Sequence, residues 1–489
     1  MSNSNYVISE NVGKNTHHLP VMVVMVPLPL QGHLNQLLHL SRLLSAFNIP
    51  VHFVSTATHN RQAQHRISAK IKNHLIQFHD FDLPIFPSPN PNATHKFPSH
   101  LVPMVNEVLV HFPRPFAAFL SSLSQKAKRL IVIHDSLMSS VVQVVDSIVN
   151  VESYLFHSVS AFVTTLHNLE RKGIVVGDGD DDEEECESRT FYREYVLKEL
   201  NTARSWESWF SVEFWDLIKS QFGQLPKKTC GQIYNTCRVI EGSSLKLIER
   251  IESKLNNWAL GPFNPVKKLK NGERSSSKHS CMSWLDQQEP RSVIYISFGT
   301  TTTMEDKQIN EIAIGLARSH QKFIWVIRDA DKVDIFHEDN NKRSKLPEGY
   351  NDLIGDRGLI IREWAPQLEI LSHWATGGFM THCGWNSCLE SITMGVPMAA
   401  WPMHSDQPRN MVLVTEILRV GLVVKDWELK EEVVSALTVE ETVRRLMVSE
   451  DGAEIRMNAM RVGEAVRRSI EDGGDSRKEL EAFVNHITR

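Results

Sequence analysis

The chain has 489 residues, 42% hydrophobic and 23% charged, with 24 Gly and 21 Pro. That is the composition of a folded protein of two or three domains, and it excludes a disordered, collagen-like or coiled-coil chain as well as a single small binding module. Lys and Arg number 53 against 58 Asp and Glu, a formal charge of −5, so no strong positive field exists to hold a nucleic acid or an anionic membrane.

The first twenty residues are polar, and the apolar run Val21–Leu30 is short and broken by Pro27 and Pro29. Neither a signal peptide nor a membrane helix results, so the expected compartment is the cytosol. Six Cys (186, 230, 237, 281, 383 and 388) lack C-x-x-C spacing and read as free thiols. Val21–Val26 reads as a buried parallel strand that runs into the loop PLPLQGH, and Leu37, Leu40, Leu44 and Phe47 follow at helical spacing. Val51–Ser55 is another short strand, so the chain opens as β-α-β, which requires a parallel sheet with a right-handed crossover. Leu130–His134 is a later strand of the same kind and ends at Asp135.

The run GIVVGDGDDDEEECES, residues 173–188, repels itself and reads as a surface insertion. The polar, Ser-rich stretch 267–280 reads as a linker between two cores. Beyond it the alternation resumes with a strand at Val293–Phe298, a helix carrying Ile309, Ile312, Ala313, Leu316 and Ala317, and a strand at Phe323–Ile327. A strand end at Gly378–Thr381, a helix from about Asn386 and a strand at Val396–Trp401 continue it. Ser476 and Glu479 have the spacing of a capping box ahead of an amphipathic helix with Leu480, Phe483, Val484 and Ile487. The expected fold class is therefore α/β, with two doubly wound domains at 1–260 and 261–475 and a closing helix at 476–489.

No G-x-G-x-x-G follows a strand and no P-loop occurs, so a nucleotide must be held by other means, and H-E-x-x-H and G-x-S-x-G are absent too. His33 lies where α/β sheets place ligands, at the C-terminal end of the first strand. From position alone it either takes a proton from a substrate hydroxyl, with Asp135 fixing its tautomer, or packs against its loop while Asp135 caps a turn. Thr381–Ser387 passes from a strand through Gly384 into a helix, offering either unpaired N–H groups for a pyrophosphate or plain N-capping by Asn386 and Ser387. Trp364–Gln367 brings an indole face that stacks a base or fills a core. His404–Gln407 brings donors and acceptors that bind sugar hydroxyls or form a turn.

Together, Trp364 to Gln407 resembles the signature box of plant secondary-product UDP-glycosyltransferases. The segments SWLDQQEPRSVIYISFGT and FIWVIRD and the QGH loop are similar to that family in order and spacing. The resemblance implies the GT-B fold, two Rossmann-like domains with the acceptor mainly on the N-terminal side of a cleft and a UDP-sugar mainly on the C-terminal side. By the same resemblance Trp364 stacks the uracil, Ala365 bonds its edge through the backbone, and Gln367 and Glu390 hold the ribose. Thr300, His382, Asn386 and Ser387 hold the phosphates, and Trp385, Asp406 and Gln407 contact the sugar, with glucose expected. His33 becomes the general base and Asp135 its orienting partner in an inverting displacement that needs no metal or cofactor. The partners implied are UDP-glucose, with UDP-xylose the neighbouring donor, and a small hydrophobic acceptor, the enzyme acting as a monomer.

Two residues depart from the family pattern: Gln36 stands where many members have Pro, and His157 where a small hydroxyl residue is usual. Both lie on the acceptor side, and the strings PLPLQGHLNQLLHLSRLL and FHSVSAF most resemble the zeatin O-glucosyltransferase subgroup. A hydroxylated cytokinin is the implied acceptor, with flavonoids or other phenols as alternatives. A catalytically silent UDP-sugar-binding protein is the competing reading, against which the pair His33 and Asp135 speaks, since a binder has no use for a base.

Overall fold

The structure, a computed structural model, describes residues 20–66, 75–84, 101–172, 210–266, 279–301, 304–328 and 345–489. The acidic run at 173–188 and most of the serine-rich stretch at 267–280 lie outside the described residues. The first sheet contains β1 (Val21–Val26), β2 (Val51–Ser55), β3 (Ile76–Asp80), β4 (Arg129–Asp135), β5 (Val151–His157), β6 (Thr229–Tyr234) and β7 (Asn256–Ala259), in the order β3-β2-β1-β4-β5-β6-β7. The second contains β8 (Val293–Ser297), β9 (Lys322–Val326), β10 (Gly358–Ile361), β11 (Thr376–Thr381), β12 (Met398–Ala400) and β13 (Gly421–Val423), in the order β10-β9-β8-β11-β12-β13. Neighbouring strands pair parallel in both sheets.

The central strands are apolar on both faces because helices cover both faces. Val23, Met25, Ile131 and Ile133 pack with Leu34 and Leu37 of the helix Gln31–Ser45, while Val24, Val26, Leu130 and Val132 pack with Met104 and Phe116 on the opposite face. The second sheet repeats this, with Ile294, Ile296, Trp325 and Met380 on one face and Val293, Tyr295, Ile324 and Phe379 on the other.

The last helix, Asp475–Thr488, returns to the first sheet, where Leu480, Phe483, Val484 and Ile487 join the cluster around Val23 and Met25. The expected capping box does not form. The helix starts at Asp475 with Gly474 before it, and Ser476, already inside, bonds the Ser469 hydroxyl at 2.9 Å. Glu479 instead accepts the Ala259 N–H at 2.9 Å and meets Arg238, so tertiary partners outcompeted the local motif. Among the described residues no helix is long and apolar enough to cross a membrane, and no cluster of three potential metal ligands occurs.

Candidate active site

Strand order reverses between β1 and β4 in the first sheet and between β8 and β11 in the second. At such points the loops leaving adjacent strands diverge and open a crevice at the strands' C-terminal ends. β1 and β4 stay in register to Val26 opposite His134, and β8 and β11 to Ser297 opposite Thr381. The two crevices share one cleft of about 1320 Å³, lined by both halves and by every candidate residue except Asp135.

The register of β1 and β4 brings His33 beside Asp135. The helix begins at Gln31, three residues earlier than the loop reading places it, so His33 sits in its first turn. Nδ1 meets Asp135 Oδ2 at 2.7 Å, and the other carboxylate oxygen accepts the Leu137 N–H at 3.0 Å. Asp135 thus caps its turn and orients the histidine at once, where position alone offered these as alternatives. The carboxylate is fully buried while the imidazole keeps 21% exposure. Burial alone would lower the His33 pKa, but the charge and hydrogen bond of Asp135, with a smaller contribution from Asp406 across the cleft, raise it above its ordinary 6.5. With Nδ1–H committed to the carboxylate, Nε2 is left as an acceptor.

In the second half, Cys383 at φ 63° turns the chain from β11 into the helix Trp385–Met394. No side chain caps this helix, so Asn386 and Ser387 are not N-caps and the first-turn N–H groups are left for a ligand. Asn386 Nδ2 instead donates to Gly32 O at 2.8 Å and Ser387 Oγ accepts Gln367 Nε2 at 3.0 Å. Above the turn His382 lies between two glycines: a Cβ on Gly299 or on Gly384 would come 2.7 or 2.5 Å from its Nε2. Burial pushes the His382 pKa down to about 4, so the imidazole is neutral and offers a hydrogen bond rather than a positive charge. Thr300 follows β8 on the same rim.

Trp364 is 53% exposed, an open indole face at the cleft and not a core residue, and the backbone of Ala365 lies beside it. Gln367 Nε2 also donates to Glu390 Oε2 at 2.9 Å, and burial, opposed by that bond, pushes the Glu390 carboxyl up to about 7. Asp406 is raised to about 6 by burial while accepting Asn410 Nδ2 at 2.7 Å. Gln407 Oε1 accepts the N–H groups of Met403 and His404 at 2.9 and 3.1 Å. The indole N–H of Trp385 turns away from the second half and donates to Asn235 O at 2.9 Å.

Several residues unmarked in the sequence tie the halves together. Ser160 Oγ donates to Asn410 Oδ1 at 2.9 Å, and Asn410 also reaches Cys383 O at 3.0 Å. Arg409, fully buried, pairs with Glu170 of the helix Ala161–Lys172. The first half's wall of the cleft includes an apolar stretch, with Leu137, Val159, Val163, Phe214 and Ile218. His157 is buried there, stacked on Tyr234 with centroids 4.8 Å apart and 2.5 Å from Gln232 Oε1.

The family description "Glycosyltransferase, N-terminal domain" matches residues 20–265, and "UDP-glucoronosyl and UDP-glucosyl transferase" matches residues 265–462. The chain is 51% identical to the Zeatin O-glucosyltransferase of Phaseolus lunatus, covering 97% of this chain and 98% of that one. It is 48% identical to the Zeatin O-xylosyltransferase of Phaseolus vulgaris, covering 96% and 98%. The crystal structure of TcCGT1 in complex with UDP superposes with a TM-score of 0.73 at 25% identity, covering 96% of this chain and 99% of that one. The two parallel sheets have the GT-B arrangement.

Proposed function

The chain belongs to the UDP-glucoronosyl and UDP-glucosyl transferase family and is a UDP-glycosyltransferase, and from that premise we propose that it moves glucose from UDP-glucose to a hydroxyl of a zeatin-type cytokinin, giving a β-O-glucoside. The observation that carries the mechanism is the His33–Asp135 pair, 2.7 Å apart, whose histidine lines the same cleft as the uncapped helix start at Trp385. His33 Nε2 takes the acceptor's hydroxyl proton as that oxygen attacks the anomeric carbon. The bond from that carbon to the phosphate oxygen breaks, UDP leaves with the electron pair, and the anomeric configuration inverts. Asp135 stabilises the imidazolium formed.

Charge growing on UDP is met by the N–H groups of the helix start and by hydrogen bonds from Asn386, Ser387, Thr300 and neutral His382. The indole of Trp364 stacks the uracil, whose edge bonds the Ala365 backbone. Gln367 and Glu390, already hydrogen-bonded to each other, receive the ribose hydroxyls, and Asp406, Gln407 and the Trp385 segment receive the glucose. This assignment uses residues of the second half for the donor and leaves the apolar wall at Leu137, Val159 and Val163 for the acceptor.

The relatives named for zeatin support the acceptor. The xylosyl relative supports UDP-xylose as a second donor, because one hydroxymethyl group is discriminated by only about 1–3 kcal/mol. Mass spectrometry of purified protein with UDP-glucose and UDP-xylose against trans-zeatin, cis-zeatin and flavonoids tests this. A hexosylated zeatin is the expected product; pentosylated zeatin changes the donor, and glycosylated flavonoid alone changes the acceptor.

A further inference from the structure

Gln36 is buried one turn beyond His33, and each part of its side-chain amide is used. Its Nε2 donates to Gly32 O at 3.1 Å and to Ser158 O at 2.8 Å, and its Oε1 accepts Asn235 Nδ2 at 3.0 Å. The orientation is fixed from outside, because Asn235 Oδ1 is taken by the Phe263 N–H at 2.9 Å, leaving only its NH2 to face Gln36. One side chain thus joins the chain after β1, β5 and β6.

Two of the residues held this way, Gly32 and Asn235, are also the landing points of the second half, each through its backbone carbonyl. Asn235 O accepts the Trp385 indole at 2.9 Å and Gly32 O accepts Asn386 Nδ2 at 2.8 Å. Trp385 and Asn386 open the helix assigned above to the diphosphate and sugar, and Gly32 precedes His33. A closed path of hydrogen bonds and peptide links therefore runs from Gly32, next to the base, through Gln36 and Asn235 to the donor helix and back through Asn386 to Gly32.

We infer that Gln36 is a positioning residue that sets the distance from His33 to the anomeric carbon by locking the base-bearing turn to the donor helix. The inference rests on the reading of His33 as general base. Gln36 itself touches no substrate. Losing its amide leaves the His33–Asp135 bond and the donor contacts of the second half in place, but frees Gly32 and Asn235 to shift against the donor helix. Near-attack geometry tolerates little of this, and a displacement of about 1 Å costs up to about a hundredfold in rate.

The test is Gln36→Met, which keeps length and volume and removes every hydrogen bond, assayed beside His33→Ala with UDP-glucose and the acceptor found in the product screen. The expected result is a kcat reduced by about tenfold to a hundredfold, with KM for UDP-glucose and UDP affinity by calorimetry within about twofold. A folded variant with unchanged kcat, or one whose UDP affinity falls in parallel with kcat, overturns the inference. Should Gln36→Met not fold by circular dichroism, Gln36→Asn, too short to span Ser158 and Asn235 together, is judged by the same two criteria. The control separates the two readings: full transfer by His33→Ala removes the base assignment itself, whereas an inactive His33→Ala beside a fully active Gln36 variant removes only the positioning role.

Discussion

Asp135→Asn exchanges one oxygen of the dyad for nitrogen while its shape stays in place. Oδ1 accepts the Leu137 N–H at 3.0 Å, and that buried donor still needs an oxygen in the variant, so the new NH2 is turned toward His33 Nδ1. Two losses follow. The imidazolium formed during transfer no longer faces a carboxylate, and at a charge separation of about 4 Å and an effective dielectric of about 20 that attraction amounts to about 4 kcal/mol. This corresponds to about 10³ in rate. The amide also drives the remaining proton onto Nε2, the nitrogen that has to be empty, which carries the total toward about 10⁴. Steady-state transfer measured by mass spectrometry, with UDP affinity by calorimetry, should show kcat down by about 10³ to 10⁴ and UDP binding unchanged. A kcat within about tenfold of the parent would refute the reasoning. The pH profile carries the same sign: a base works only when unprotonated, so kcat of the parent should fall with decreasing pH through a midpoint above 6.5, because Asp135 and Asp406 together outweigh burial and raise His33. Any residual activity of Asp135→Asn should have that limb displaced to lower pH.

Trp364→Ala should weaken UDP by about 1–3 kcal/mol if the indole stacks a base, with no change in melting temperature because the ring is half exposed; unchanged affinity by calorimetry would refute it. Burial holds Glu390 at about 7, and only its ionised form accepts both ribose hydroxyls. Affinity for UDP-glucose should therefore rise with pH through that value and be flat there in Glu390→Gln; parallel pH curves for the two proteins would count against the ribose assignment. Glu170→Ala leaves the guanidinium of buried Arg409 without its carboxylate and should destabilise the protein by about 3–5 kcal/mol in denaturant unfolding, whereas a loss below about 1 kcal/mol would show the pair to be peripheral.

The central strands were readable because a strand covered on both faces must be a short β-branched run, and Val21–Val26 and Val51–Ser55 occur with those limits. The edges were not. β3, reading IQFHD, and β7, reading NNWA, are half-wetted and polar, and β13 has three residues, so neither apolar run nor periodicity marks them. Candidate site residues clustered in the sequence because the loops and helix starts after β10, β11 and β12 carry most of them, and the apolar runs marked the ends of β11 and β12, though not of β10. The contacts that join the halves left no such mark. Trp385 meets Asn235 across 150 residues and Asn386 meets Gly32 across 354, and both depend on how two sheets face each other, which local pattern does not encode. The Ser476 capping box failed for a related reason, since Glu479 found its partners in β7 and the helix Arg238–Ile251.

The most direct test of a single displacement driven from across the cleft is His33→Ala, assayed for glucose transfer to zeatin and, on the same preparation, for UDP affinity. Loss of nearly all transfer with UDP affinity within about twofold of the parent is the predicted result, because the donor is assigned to the second half and only the base has been removed. Transfer at the parental rate, or loss of UDP binding together with activity, would contradict it: the first would place the base elsewhere, and the second would make the turn at Gln31–His33 part of the donor site.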